Sequence, residues 1–387
     1  LYSMVDTIIV GKFLGEEALA AVGSTGSMFF LVNGFLLGLT SGFSVMVAQR
    51  FGAKDEKGVR KAIASNITLT VIVTFVVTMV MLILKTPLLK LMNTPENVFQ
   101  YASTYIGIIY AGIFTQAFYN MSAGILRALG DSKTPLYFLI IASIVNIVLD
   151  LVFIINFNMG VAGAAYATNI AQGLAAVLCI VYSYKKFQIL RLKKEDFKVP
   201  ASYYRTHFHI GLPMALQFSI TAMGVMTLQS AINIFGSSVM AAYTAASKVI
   251  QLVMQPLVTY GVSTATFVGQ NLGAGLYHRI REGVRTITCI SIATSILSSS
   301  VLFLFGKYLV GFFLENPSPE VISYSTQVLN YAGIFFIPLG LIFVYRNALQ
   351  AMGQSFIPMM AGVFELVARA VVAYTLPAFI GFTGICL

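Results

Sequence analysis

The sequence predicts an all-α membrane protein built from two parallel copies of a six-helix unit. Composition is the first reason, because 58% of the 387 residues are hydrophobic and only 10% are charged. Repetition is the second: the sequence Tyr-Ala-Gly-Ile-Phe occurs at Tyr110–Phe114 and again, 221 positions later, at Tyr331–Phe335. An apolar chain with a large internal repeat is typical of secondary transporters, in which the substrate path runs between the copies.

The repeat extends along most of the chain. Gln49–Ala53 resembles Gln270–Ala274 at the same offset of 221, whereas Ala128–Pro135 resembles Ala351–Pro358 at an offset of 223. The two copies are therefore collinear apart from one small local shift.

Ten apolar runs are long enough to span a bilayer, which takes about twenty residues each. They are Met28–Ala48, Ala62–Leu84, Tyr101–Leu126, Pro135–Ile155, Val161–Tyr184, Ile210–Phe235, Val239–Val268, Val284–Phe305, Tyr324–Leu349 and Pro358–Ile380. A partial run precedes them, because Leu1 corresponds to Ala222 inside span seven. Leu387 corresponds to Tyr166 at the start of span six. We therefore expect twelve spans, of which about eleven are covered, with both ends truncated.

The positive charges alternate along the chain. The loops after even-numbered spans carry 18 of the 24 Lys and Arg residues, and the loops after odd-numbered spans carry four. This pattern places the even loops in the cytoplasm and argues against nucleic-acid binding as the reason for the net charge of +10. We expect an N-terminal lobe at 1–184, a cytoplasmic linker at 185–208 and a C-terminal lobe at 209–387.

Two carboxylates inside the spans are the strongest candidates for function, since a charge in hydrocarbon is costly. Asp6 lies in span one and Asp150 in span five, with Asn146 one helical turn before it. Such oxygens suit Na⁺, and two nearby carboxylates also favour a shared proton. The alternative is hydrogen bonding between packed helices. Because the counterparts are Thr227 and the apolar segment Val371–Ala373, the ion site is expected in the first copy only.

Polar side chains in the second copy are harder to assign. Glu365 and Arg369 are four residues apart and are expected to form a structural ion pair. Lys248 either snorkels to the outer interface or lines a cavity, and the spans are taken to hold no other cation than these two. The candidates for a substrate chamber, which otherwise bond helix to helix, are Gln217, Gln251, Gln255, Lys248, Asn33 and Tyr119.

Signs of an enzyme or of a cofactor are missing from the sequence. There is no P-loop, so we do not expect ATP to drive the protein. The three Cys residues show no metal-ligand spacing, and no Ser-His-Asp or HExxH arrangement is present. Apart from a possible Na⁺ at the carboxylates, no metal is expected.

Five segments together resemble the bacterial multidrug and toxic compound extrusion (MATE) family, within the multidrug/oligosaccharidyl-lipid/polysaccharide flippase superfamily. They are Met4–Gly11, Leu19–Val22, Gln49–Ala53, Arg127–Pro135 and Gly211–Pro213. The resemblance implies a multi-pass protein of the bacterial inner membrane. It also implies an antiporter that exports organic, often cationic, compounds in exchange for H⁺ or Na⁺.

The same resemblance assigns the cation or proton site to Asp6, Asn146, Asp150 and Thr168. Some members of the family place acids in helices seven and ten, and this sequence has none there. We expect a monomer whose partners are small organic molecules and membrane lipid.

Two other functions were weighed. A flippase for lipid-linked saccharides, from the same superfamily, would need a basic cavity, for which the spans offer Lys248 and Arg369. An intramembrane enzyme or an assembly scaffold would need a catalytic constellation or a docking feature, and no catalytic constellation is visible.

Overall fold

The computed structural model describes residues 2–92, 94–233, 235–311 and 318–386, and in these ranges the chain is helical without strands. It divides into two compact units, Leu1–Ala215 and Leu216–Leu387. The division falls inside one long helix, α8 (Ala201–Asn233), so the backbone continues from one unit into the next without a loop.

Among its described residues, the first unit contains seven further α-helices. They are α1 (Tyr2–Leu14), α2 (Glu16–Gly52), α3 (Glu56–Leu91), α4 (Glu96–Ala111), α5 (Ile113–Ala128), α6 (Lys133–Leu151) and α7 (Gly160–Lys186). A π-helix, Val152–Asn156, continues α6, and two 3₁₀ turns, Gln188–Leu190 and Lys194–Phe197, lead to α8.

The described part of the second unit comprises the rest of α8 and eight more helices. They are α9 (Ser237–Val253), α10 (Gln255–Gly273), α11 (Tyr277–Gly311), α12 (Pro319–Ile334), α13 (Phe336–Ala351), α14 (Phe356–Thr375), α15 (Pro377–Ile380) and α16 (Thr383–Cys386).

Within the described ranges, seven helical spans are long and apolar enough to cross a membrane, and α12 with α13 makes an eighth if that pair, bent by 50°, is one span. The difference from ten predicted runs has a structural cause. Three of the runs are interrupted, at Gly112, at Met254 and at Phe335, so that neither half passes as a span alone. The chain is a multi-pass helical membrane protein, as predicted.

The internal repeat is a repeat of structure as well as of sequence. Gly15 and Gly236 precede equivalent helices with φ of 86° and 91°, and Gly160 and Gly381 have φ of 59° and 60°. These left-handed conformations are costly for residues with a side chain, so glycine marks the same turn in both copies.

The π-helix lies where the offset between the copies returns from 223 to 221. Pro135 and Gly160 are 25 positions apart, whereas their equivalents Pro358 and Gly381 are 23 apart. Since a π-helix closes its hydrogen bonds over five residues instead of four, Val152–Asn156 takes up extra residues in the first copy. Residues of α6 before this insertion therefore correspond to residues of α14 at the offset of 223.

Candidate functional site

Helix α6 presents an apolar face and a polar face, each repeating every four residues. Its exposed residues include Leu136, Ile140, Ile144 and Val148, all at least half exposed, which form the stripe expected against lipid. On another face, Ala142, Asn146 and Asp150 are buried, the last two completely. This spacing directs the predicted amide and carboxylate into the first unit.

The four residues assigned to a cation or proton site meet in one place. Helix α1 brings Asp6, which is only 3% exposed, and α7 brings Thr168, whose hydroxyl donates to Asp6 Oδ2 at 3.1 Å. The side chains of Asp150 and Asn146 lie next to the Asp6 carboxylate without forming a hydrogen bond to it. Three helices thus converge on one buried cluster.

Hydrogen bonding in this cluster is incomplete. Within the described part of the chain, Asp6 Oδ1, both oxygens of Asp150 and both amide atoms of Asn146 have no hydrogen-bond partner. Ionised carboxylates only accept hydrogen bonds, so Asp6 and Asp150 side by side need a proton or a cation to hold them together. The orphaned oxygens are therefore the observation that fits an ion.

The chemistry of the donors narrows which ion fits. Two carboxylates, an amide oxygen and a hydroxyl are hard oxygen ligands, suited to Na⁺ or to a shared proton. The described residues hold no group of three or more His, Cys, Asp or Glu side chains that could bind a metal. A transition-metal site is thus not what these residues build.

Backbone features next to the cluster hold α7 close to α6. The π-helix begins two residues after Asp150, and π-helical turns occur often at functional sites. Gly163 of α7 packs against it, because a Cβ at that position would lie 3.0 Å from Phe153 Cβ. This close approach sets the position of Thr168, which is on the same helix.

Asn169 is a polar residue of the first unit that the sequence interpretation missed. Its amide donates to the carbonyl of Ile108 at 2.7 Å, near the break between α4 and α5 at Gly112. The signal was an amide inside an apolar span, directly after Thr168. Asn169 ties the helix that carries Thr168 to a carbonyl beside the helix break.

In the second unit, Glu365 lies between two arginines. Arg369 Nη2 lies 2.6 Å from Glu365 Oε1, and Arg346 Nη2 lies 3.4 Å from Glu365 Oε2. The expectation that Lys248 and Arg369 are the only cations in the spans was wrong, because Arg346 belongs to α13 and not to the following loop. It stands near the cytoplasmic end of span ten, where periodicity alone does not separate helix from loop.

Gln217, a candidate for a substrate chamber, is instead buried beside Arg346. With its amide oxygen turned toward the guanidinium, it accepts from Arg346 Nε and Nη1, both at 2.9 Å. Gln350 Nε2 lies 2.5 Å from the same amide. Both glutamines are 4% exposed, so they fix Arg346 in place.

The remaining chamber candidates are placed on several helices. Gln255 donates to the carbonyl of Gln251 at 3.2 Å along the helix axis, and both side chains are exposed. Tyr119 donates to the carbonyl of Pro135 at 3.1 Å, which joins α5 to α6. Asn33 and Lys248 are half-buried. At least Tyr119 therefore bonds helix to helix, as the alternative interpretation had it.

A repeated bundle of apolar helices with ionisable groups inside the spans of each copy defines a class, the multi-pass membrane transporters. A model of the MatE family matches residues 1–152 and 213–375, and the chain belongs to this family. It is consequently a transporter of the bacterial inner membrane and not an enzyme.

Known relatives agree with this assignment. The probable multidrug resistance proteins YpnP and YoeA of Bacillus subtilis (strain 168) are 29% and 26% identical to this chain. These matches cover 91% and 94% of the chain and 78% and 80% of the relatives. A crystal structure of MATE in the bent conformation superposes with a TM-score of 0.92 at 24% identity, over 100% of this chain and 86% of that one. The fold is that of the MATE transporters.

Proposed function

We propose that the protein is a secondary active multidrug efflux antiporter, which exports organic, often cationic, compounds in exchange for H⁺ or Na⁺. The name multidrug resistance protein, carried by its relatives, supports the cargo. The observation that carries the coupling is the buried pair Asp6 and Asp150, whose oxygens have no cationic partner among the described residues. The protein acts as a monomer and uses no cofactor beyond the coupling ion.

In this mechanism the ion and the drug compete. An ion that binds from outside neutralises Asp6 and Asp150, which lowers the affinity for a cationic drug and favours its release. Asn146 and the Thr168 hydroxyl supply neutral oxygens that orient the pair. The transporter then changes to its inward-facing conformation, in which the ion leaves and the next drug molecule binds. An ion drives this cycle only through its different affinity for the two states.

The test follows a fluorescent cationic dye in proteoliposomes under an imposed pH gradient and, separately, under a Na⁺ gradient. The wild type is compared with Asp150→Asn, which keeps the shape of the side chain and removes its charge. Glu320→Gln is the matched control, since Glu320 is an exposed carboxylate in the first turn of α12. We expect one gradient to drive the wild type and the control but not Asp150→Asn.

Dye movement that depends neither on the two gradients nor on the Asp150→Asn substitution would contradict the antiporter function. The flippase for lipid-linked saccharides is then the next candidate, and Arg346 gives it one more cation within the spans than the sequence had suggested. Transfer of a lipid-linked saccharide that needs Arg369 and ignores Asp6 would establish that function instead.

A further inference from the structure

The repeat places an arginine of the second unit where the first unit has an amide of its ion site. Asn146 follows Pro135 by 11 residues in α6, and Arg369 follows Pro358 by 11 residues in α14. Both helices begin directly after equivalent serines, Ser132 and Ser355. The two side chains therefore occupy the same position in their respective copies.

Arg369 also faces the equivalent neighbour. Because Gly15 and Gly236 are equivalent, the part of α8 after Leu216 corresponds to α1, the helix that carries Asp6. A Cβ at Gly224 of α8 would lie 3.4 Å from Arg369 Cδ, so the arginine packs against this helix. The second unit thus repeats the arrangement in which α6 faces α1.

The charge at this place is inverted between the copies. The equivalent of Asp6 is Thr227 and that of Asp150 is Ala373, so neither carboxylate is repeated. In their place, Arg346 and Arg369 share the single carboxylate of Glu365. This leaves one positive charge in excess inside a span, where an unbalanced charge is costly and marks a functional site.

The guanidinium groups of Arg346 and Arg369 differ in how many of their N–H donors form hydrogen bonds within the protein. Arg346 donates through Nε and Nη1 to Gln217 and through Nη2 to Glu365, which occupies both of its edges. Within the described ranges, Arg369 has one partner, the bond from Nη2 to Glu365, and its side chain is 39% exposed. Its Nε and Nη1 have no partner there, and release of Glu365 from Nη2 completes an edge on which an oxyanion binds in a bidentate manner.

We propose that Arg369, supported by Arg346 and Glu365, binds the carboxylate or phosphate group of an organic solute. This inference rests on the proposed efflux function and extends it, because the exported compounds then include zwitterions and organic anions. Glu365 holds the guanidinium until the anion of the solute takes its place. The alternative is an ion pair that only stabilises α14, and the experiment separates the two.

The experiment uses two dyes that differ at one group. Rhodamine 110 has a free carboxylate, and rhodamine 123 is its methyl ester. Fluorescence anisotropy with the purified full chain in neutral detergent gives the affinity for each dye without anionic lipid. One charge-assisted, bidentate contact should favour rhodamine 110 by about tenfold.

Two substitutions then move this preference in opposite directions. Arg369→Gln should remove it, leaving the two affinities equal to within about twofold, because the oxyanion loses its donor. Glu365→Gln should increase it, because the competing carboxylate is gone. Arg281→Gln and Glu282→Gln are the matched controls, since both residues are exposed in α11. A purely structural pair predicts a lower unfolding temperature for both variants and an unchanged preference.

Two further measurements identify the anionic group that binds and separate this inference from the proposed function. In competition experiments, benzoate and phenyl phosphate should each displace rhodamine 110 from the wild type, and the tighter competitor shows whether a carboxylate or a phosphate is preferred. If neither compound displaces the dye, the inference is overturned. A wild-type preference that survives Arg369→Gln would also overturn it. In proteoliposomes, failure of both gradients to move rhodamine 123 would contradict the antiporter, whatever the binding preference.

Discussion

The two copies of the six-helix unit place polar groups at the same point of equivalent helices but give them opposite charge. In α6 of the first copy, Asn146 and Asp150 meet Asp6 from α1. In α14 of the second copy, Arg369 stands at the Asn146 position and pairs with Glu365. The backbone repeat thus decides where a polar side chain stands within a span, and the single residue decides what it binds.

Helix breaks give a second contrast between the copies. In the first copy, Asn169 from α7 donates to Ile108 beside the break at Gly112. In the second copy, Ser299 and Ser295 from α11 donate to the carbonyls of Gly333 and Phe336, at 2.6 and 3.0 Å. In each copy a neighbouring helix therefore adds side-chain donors to carbonyls beside the break, and at Ile108 this donor comes in addition to the Gly112 N–H.

The largest expected effect is a difference in dye efflux between substitutions at two equivalent positions, Asp6 in the first copy and Thr227 in the second. Asp6→Asn should lower gradient-driven dye efflux by at least about tenfold, because coupling free energies of roughly 1–3 kcal/mol correspond to factors of 5–150. Thr227→Asn, at the equivalent position, should leave efflux within about twofold. The measurement is the initial rate in proteoliposomes at equal protein content. Equal losses in the two variants would show that both copies couple to the ion.

An intermediate effect is expected at the helix breaks. Asn169→Ala should destabilise the protein by about 1.5 kcal/mol, the upper end for one net hydrogen bond, because the Ile108 carbonyl loses its side-chain donor and keeps only the Gly112 N–H. Ser299→Ala should cost about 0.5–1.5 kcal/mol, since that hydroxyl is shared with the carbonyl of Ser295 and has less to lose. Thermal unfolding in detergent would measure both, and a larger fall for Ser299→Ala would contradict the comparison.

The smallest effect concerns a loop that differs between the copies. Asp131 lies where the second copy has Gln354. Burial raises the pKa of Asp131, but the Thr134 backbone N–H, the Tyr182 and Thr134 hydroxyls and Lys186 outweigh it and hold the pKa at about 2. The Lys186 ammonium lies 3.1 Å from its carboxylate and the Tyr182 hydroxyl 2.8 Å.

A lowered pKa in the folded state means that ionised Asp131 stabilises the protein above pH 3.8. This contribution should be lost as the pH falls from about 4 to about 2. Asp131→Asn should therefore unfold at a lower temperature than the wild type at pH 7, and this difference in unfolding temperature should become smaller below pH 4. Gln354→Ala, in the second copy, serves as the control, and its difference from the wild type should not depend on pH. A difference for Asp131→Asn that stays constant with pH would contradict the stabilising role of ionised Asp131.

Much of the first unit's candidate site was predictable because its signals are local. Asn146 and Asp150 are one turn apart in an apolar helix, and a charge in such a helix is rare enough to stand out. Asp6 stood out in the same way, as a charge inside a span, whereas Thr168 followed from the resemblance to a family to which the chain belongs. Arg346 was missed because it lies near the end of its span, where hydropathy does not locate the boundary, and Asn169 because single amides in a span carry little signal.

The sequence alone determined the helical class, the twofold repeat, the membrane location and the family, because hydropathy, loop charge and repetition are all read along the chain. Only the tertiary structure decided which polar residues meet: that Asp6 reaches Asp150 and Thr168, and that Arg346 shares Glu365 with Arg369. Those contacts join residues on different helices. Their existence depends on close approaches, such as that of Gly163 to Phe153, which no one-dimensional pattern records.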